Sequence, residues 1–278
     1  MSFVRRFARN RGAVIGCLVL LAVIVVAALA PVMYPQSPWR LVGRPFLAPF
    51  ALDRFPLGTD ALGRDVMAGL MHGARVSLLI GLVSTAVALL IGVPLGALAG
   101  YAGGLVDDAL MRFTEFFQTI PSFALAIVIV AILQPSIASI VLAIAIVSWP
   151  PIARLVRGEV LSLRSREYVQ AAITLGQTTP RILLLQVLPN TLAPIIVMAS
   201  LMVASAILLE SSLSFLGLGD PSLMTWGYMI GAGRTRLIEA WWISFFPGVA
   251  IFLTVLALNL VGEGLNDALN PRLARERD

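Results

Sequence analysis

Lysine is absent: all twenty basic side chains of the 278-residue chain are arginine, and charged residues of both signs make up only 13% of it. Soluble domains carry roughly a quarter charged residues, so a water-soluble globular fold is excluded. The 59% hydrophobic content and mean hydropathy of +0.92 agree. The single cysteine, Cys17, rules out a disulfide framework and a cysteine metal quartet, and the single histidine, His72, rules out a multi-histidine metal site. No HExxH, GxSxG or Cys/His pair occurs, and the GxxxxGKS/T string that cradles nucleotide phosphates is missing. The chain is therefore expected to hold no catalytic residue, no metal and no cofactor of its own. A formal charge of +5 and a pI near 10.3 suggest nucleic acid, but the arginines are scattered among apolar runs without a basic domain. Asymmetry across a membrane explains them better.

Long apolar runs are what the chain does contain. Residues 13–30 approach the roughly 30 Å of bilayer hydrocarbon at 1.5 Å per residue. Ala28-Leu29-Ala30 mimics a signal-peptidase site, yet the run is longer than a signal core, so an uncleaved first span is expected. Further spans are expected near residues 76–101, 109–133, 137–152, 192–213 and 243–261, giving an all-α, six-span membrane protein. In the second, Gly92, Gly96 and Gly100 recur every four residues, a stripe for close helix packing in lipid. In the third, Arg112 and Glu115 are expected to pair. In the fifth, expected to be capped by Asn190 or Thr191, Glu210, Ser211 and Ser212 place an acid where lipid is costly. A pathway role and a helix-pairing role are both open for it. Trp226, Trp241 and Trp242 read as interfacial anchors of a second outer loop.

Two stretches stand apart from the spans. In residues 57–75, Asp60 is expected to cap a short interfacial helix with Arg64 and Arg75 reaching toward water, and His72 on it to be solvated. Residues 164–190 are too polar to cross a bilayer. Glu167 opens a first helix, Gly176 stops it in the left-handed region, and Thr179 and Pro180 open a second that Pro189 ends. Tyr168, Ala171, Ala172 and Leu175 share helical spacing, so a small-residue face is expected to permit close approach of another surface. A gripped elbow and an amphipathic loop on the headgroups both fit these residues.

Gln170-Ala171-Ala172, Gly176 and Leu188-Pro189 with Asn190 resemble the EAA loop of membrane subunits of bacterial ABC importers, although Gln170 stands where that motif usually has Glu. PLGTDALGRD at residues 56–65 closely resembles the signature before the second span in permeases of dipeptide, oligopeptide and nickel importers, and ESSLSFLGLG at 210–219 and the final Asn270-Pro271-Arg272 have counterparts there. The resemblance implies the type I ABC importer permease fold. It also implies a second, distinct permease subunit, two cytoplasmic ATPases that bind ATP and Mg and grip the coupling helices, and an extracytoplasmic binding protein. In that reading residues 1–75 form the arm, first span and outer loop, 76–270 the transporter domain and 271–278 a tail. With six spans in a bacterial inner membrane and both termini inside, thirteen arginines fall on the cytoplasmic side and seven outside. A secondary transporter would be expected to show inverted repeats and mid-membrane charges, and none is clear. An intramembrane hydrolase lacks its base.

Overall fold

The computed structural model describes residues 3–269; the expected tail and the Asn270-Pro271-Arg272 motif lie outside the described residues. The described chain is helical, with two isolated β-bridges, Leu41 to Arg64 and Thr59 to Asp65, in one loop. In order come α1 Phe3–Arg9, α2 Arg11–Met33, α3 Val66–Ala102, α4 Gly104–Thr119, α5 Ser122–Leu133, α6 Ile137–Arg164, α7 Glu167–Thr174, α8 Thr179–Ile182, α9 Leu188–Phe215, α10 Trp226–Gly233 and α11 Trp242–Leu269. Five helical segments are long and apolar enough to cross a membrane, and the bent pair α4–α5 makes a sixth when taken as one span.

The third expected span is not straight. At Ile120-Pro121 the chain bends by 83° between α4 and α5, because Pro121 lacks the N–H that would continue α4. Arg112 and Glu115 form no ion pair with each other; both are exposed, where such a pair gains little. The acid that matters here is Asp107, in the first turn of α4, which holds Arg157 of α6 in a two-bond pair (Nε–Oδ1 2.5 Å, Nη2–Oδ2 2.6 Å).

Central α3 is 37 residues long, about 55 Å at 1.5 Å per residue. It packs on α6 along one side and on α9 and α2 along others. It begins at Val66, ten residues before the expected second span, so the expected interfacial helix is its N-terminal end. The cap is Asp65, not Asp60: Asp65 Oδ1 accepts from the amides of Met67 (2.8 Å) and Ala68 (3.4 Å). Asp60 instead closes a turn by accepting from the amides of Leu62 and Arg64, both at 2.8 Å. Two aspartates precede the apolar run, and only the fold of the loop decides which reaches the helix.

That loop explains the PLGTDALGRD string residue by residue. Gly58 and Gly63 both have φ near +79°, and a Cβ on either would overlap the carbonyl oxygen of Leu47 or Gly43. Thr59 accepts from the Leu47 amide and donates to Arg44 O. Arg64 does not snorkel; its guanidinium lies 4.7 Å from the Trp39 ring and donates to the Tyr228 hydroxyl, tying the loop to α10. His72 is not solvated either, its Nε2 lying 2.9 Å from Tyr34 O. Of the three tryptophans expected at the interface, only Trp241 is exposed. Trp226 and Trp242 are buried and donate to Leu70 O and Thr59 O. They pin α10 to α3 and the start of α11 to the loop that precedes α3, so an indole donor here serves a buried carbonyl.

Asp220 of that loop caps α6 from outside it, accepting from the Ile137 amide at 3.1 Å and from the amide and hydroxyl of Ser222. Burial pushes its carboxyl up, but these three bonds outweigh that and hold it below the usual range. A depressed folded pKa stabilises above the unfolded value, near 3.9, and that contribution disappears as pH falls through the folded one. Melting temperatures across pH 3–6 are expected to fall more steeply for the natural chain than for Asp220→Asn.

Candidate functional site

The helical stem of α6 runs out of the apolar region and delivers the chain to an elbow built from α7, a glycine turn and α8. Glu167 lies in the first turn of α7. Gly176 (φ +73°) closes the helix with two characteristic bonds, its own amide to Ile173 O and the Gln177 amide to Ala172 O, so residue 176 requires the left-handed conformation a side chain disfavours. Gln170 Nε2 donates to Arg164 O at 2.9 Å, tying α7 to the end of α6. A carboxylate at this position could not make that bond, so the glutamine departs from the usual motif with a local use.

The second half of the elbow differs from expectation. Thr178, not Thr179, stands at the cap position, with Pro180 second in α8. Pro189 does not end the helix. A π turn at Leu183–Val187 leads directly into α9, and the widened turn carries the chain across the proline whose missing N–H would otherwise break the ladder. Asn190 and Thr191 therefore lie inside α9, not at a cap; their side chains donate back to Gln186 O and Leu188 O.

The alanine pair is split. Ala172 is buried with Val169, Ile182 and Val187 in the cluster that also holds Trp149, Val156 and Val160 of the stem. Ala171 faces outward with Tyr168 and with Leu175, which is 79% exposed. At 100° per residue, adjacent alanines point to different sectors, and the helix spends one on its root. Leu184 and Leu185 extend the exposed apolar surface at 62% and 64%. Residues 168, 171 and 175 thus form one outward face, and 169 and 172 the inward one.

The stem is held from behind by the glycines. An ideal Cβ on Gly92 would lie 2.7 Å from Ile152 Cβ and 2.8 Å from Trp149 O. One on Gly100 would lie 2.7 Å from Arg157 O, and one on Gly96 would overlap the Ala153 carbonyl oxygen. Helices α3 and α6 therefore meet backbone to backbone just above the elbow, and Arg164 at the stem's end lies 5.9 Å from the Tyr101 ring.

The acid and two serines of α9 separate. Glu210 is fully buried and accepts hydrogen bonds from Ser214 (2.7 Å), Ser211 (3.4 Å) and Ser77 of α3 (3.5 Å), while Ser77 Oγ accepts from the Trp226 amide. It joins α3, α9 and α10. Ser212 points the other way, into an open cleft of about 440 Å³ shared with Ser122, Ser148, Pro151, Met198 and Ser205. Sequence reasoning missed Ser148 and Ser205. The available signal was their spacing, since Ser205 and Ser212 lie seven apart on the face of α9 opposite to Glu210.

Comparison with known proteins places these features. The family described as binding-protein-dependent transport system inner membrane component matches residues 92–275, and the N-terminal transmembrane domain of oligopeptide transport permease C matches residues 2–62. The chain is 44% identical to the di/tripeptide transport system permease protein DppC of Pseudomonas aeruginosa, covering 98% of this chain and 92% of that one. It is 40% identical to the dipeptide permease DppC of Bacillus subtilis (98% and 85% covered) and 39% identical to the glutathione permease GsiD of Pectobacterium atrosepticum (98% and 91%). A solved structure of the MetNI methionine ABC transporter in an inward-facing conformation superposes with a TM-score of 0.63 at 16% identity, over 74% of this chain and 98% of that one. This last likeness bears on the fold alone.

Proposed function

The chain belongs to the inner-membrane components of binding-protein-dependent transport systems, and from that premise we propose that it is a permease subunit of an ATP-driven peptide importer. It pairs with a second, distinct permease, and the paired helices enclose a path along the cleft that Ser148, Ser205 and Ser212 line. Two cytoplasmic ATPases supply hydrolysis, and each grips one elbow; an extracytoplasmic binding protein delivers the solute to the outer loops. Both termini lie in the cytoplasm, which puts the elbow within reach of the ATPases. Relatives named for dipeptide and di/tripeptide transport support peptides as cargo, and glutathione, named for the Pectobacterium relative, is itself a peptide.

The observation that carries this reading is the two-faced elbow. Its inward face is rooted in the helix cluster that includes the stem, and its outward face leaves Tyr168 and Leu175 exposed on α7, ahead of the apolar segment that begins at Thr179. Exposed apolar surface on a rooted element is the signature of a docking site. Closure of the ATPases draws the two elbows together and tips the stems, and the path alternates between inward and outward access as packed bodies move.

Deleting residues 170–176 is expected to abolish co-purification of the ATPases and nucleotide-driven dipeptide uptake in proteoliposomes. Ala171→Arg separates docking from folding: the subunit is expected to melt normally and still lose the ATPases, whereas Ala172→Arg drives a charge into the root and lowers the melting temperature. Retained ATPase binding and normal uptake in the deletion would refute the role.

A further inference from the structure

Between the outer ends of α2 and α3 and the coil that joins them lies a cavity of about 230 Å³. Its chemistry is unlike that of the neighbouring apolar contacts. Tyr34, Arg40, Arg54 and Asp65 all line it, with Phe55 and Ala68 as apolar walls. Asp65 is only 9% exposed. Its Oδ1 is used by the amides of Met67 and Ala68, while Oδ2 accepts no hydrogen bond from the described residues. Neither Arg40 nor Arg54 forms an ion pair with any described carboxylate. Arg54 instead lies over the Phe55 ring at 5.4 Å, near enough for its charge to act on Asp65. Burial pushes the Asp65 carboxyl above the usual range, against the two amide bonds and Arg54. Burial and the charge of Asp65 raise the Tyr34 phenol. The wall that carries Tyr34 is fixed by the His72 contact to its carbonyl.

Asp65 Oδ2 opens onto the cavity with no hydrogen bond from the described residues, and the exposed guanidiniums of Arg40 and Arg54 make no ion pair there, which leaves both cation- and anion-binding capacity at one site. We propose that this cavity binds a small zwitterion, an ammonium joined to an acid group over amino-acid to dipeptide length. The ammonium meets Asp65 Oδ2 and the Tyr34 hydroxyl, and the acid group meets Arg40 and Arg54. A lone cation would face two guanidiniums and a lone anion would face Asp65, so a ligand of both signs is the one that matches every wall. Free dipeptides and the ethanolamine headgroup of a membrane lipid share this chemistry. The site does not depend on peptide import, because it is complete within this chain.

Calorimetric titration of the full chain in detergent, without partner subunits, tests it with glycylglycine and with phosphoethanolamine as probes. Saturable binding of at least one is expected. Acetylating the amine of glycylglycine, or amidating its carboxylate, is expected to weaken its binding by about tenfold or more, the scale of a lost charged contact. Asp65→Asn keeps an oxygen to cap α3 and so is expected to melt like the natural chain, yet to lose binding by a similar factor; Arg54→Gln is expected to do the same. The tighter of the two probes assigns the source, peptide or lipid. No saturable binding of either, or unchanged affinity in Asp65→Asn, overturns the proposal. ATPase docking and uptake are read separately, so failure here leaves the importer reading intact and the reverse also holds.

Discussion

Gly96→Leu is expected to leave little folded protein after detergent extraction. A Cβ at this position already overlaps the Ala153 carbonyl oxygen, and Gly92 and Gly100 bring backbone equally close on either side. Within lipid there is no water to drive helices together, so close backbone packing supplies much of the association. Overpacking a well-fitted contact costs about 1–3 kcal/mol, and here the obstacle is backbone that cannot rotate away, so the upper end is expected. A Cβ on Gly158 meets nothing within 4 Å. Gly158→Ala is therefore expected to melt at or slightly above the natural temperature, since alanine favours helix by roughly 1 kcal/mol. Thermal melting with size-exclusion recovery reads both. Equal behaviour of the two variants would mean that α3 and α6 do not meet as described.

Glu210→Leu is expected to be the second severe change, and Glu210→Gln a mild one. No arginine pairs with Glu210 among the described residues; its partners are the hydroxyls of Ser77, Ser211 and Ser214. Leucine strands those hydroxyls. At roughly 0.6 kcal/mol per hydrogen bond in a membrane interior, plus unpaired polar groups at about 1 kcal/mol or more, the loss is about 2–3 kcal/mol. Glutamine keeps an acceptor oxygen for Ser214 and is expected to lose less than about 1 kcal/mol. Because Ser77 also receives the Trp226 amide, the leucine variant is further expected to expose residues 216–241 to protease. If glutamine proves as damaging as leucine, charge rather than hydrogen bonding is what the site uses.

These contrasts show which parts of the molecule were legible in sequence. The chain's division into spans followed from apolar run length, and Gly176 as a helix stop followed from its local conformation, because both depend on neighbours close in sequence. The Gly92, Gly96 and Gly100 spacing could be read as a stripe, but the partner it faces, residues 149–160, lies some 60 positions onward and left no local mark. Asp60 reads as the cap in sequence, and Asp65 takes that place because of a loop closed by Gly58 and Gly63. Ala171 and Ala172 looked alike until the phase of α7 was fixed by Val169 meeting the stem. Trp226 and Trp242 looked like anchors because composition alone cannot tell an indole facing headgroups from one that donates to a buried carbonyl. Pro189 looked like an end because the π turn that absorbs it has no sequence signal of its own.

The unbroken length of α3 has a mechanical consequence. One helix, with Pro94 inside it, joins the Asp65 turn to Gly100 beside the stem of the elbow. Over about 55 Å, a lean of about 5° pivoted at one tip sweeps the opposite tip through roughly 5 Å, the height of a helical turn. On the proposed importer reading, movement of the elbow's stem is carried along this one helix to the loop around Asp65.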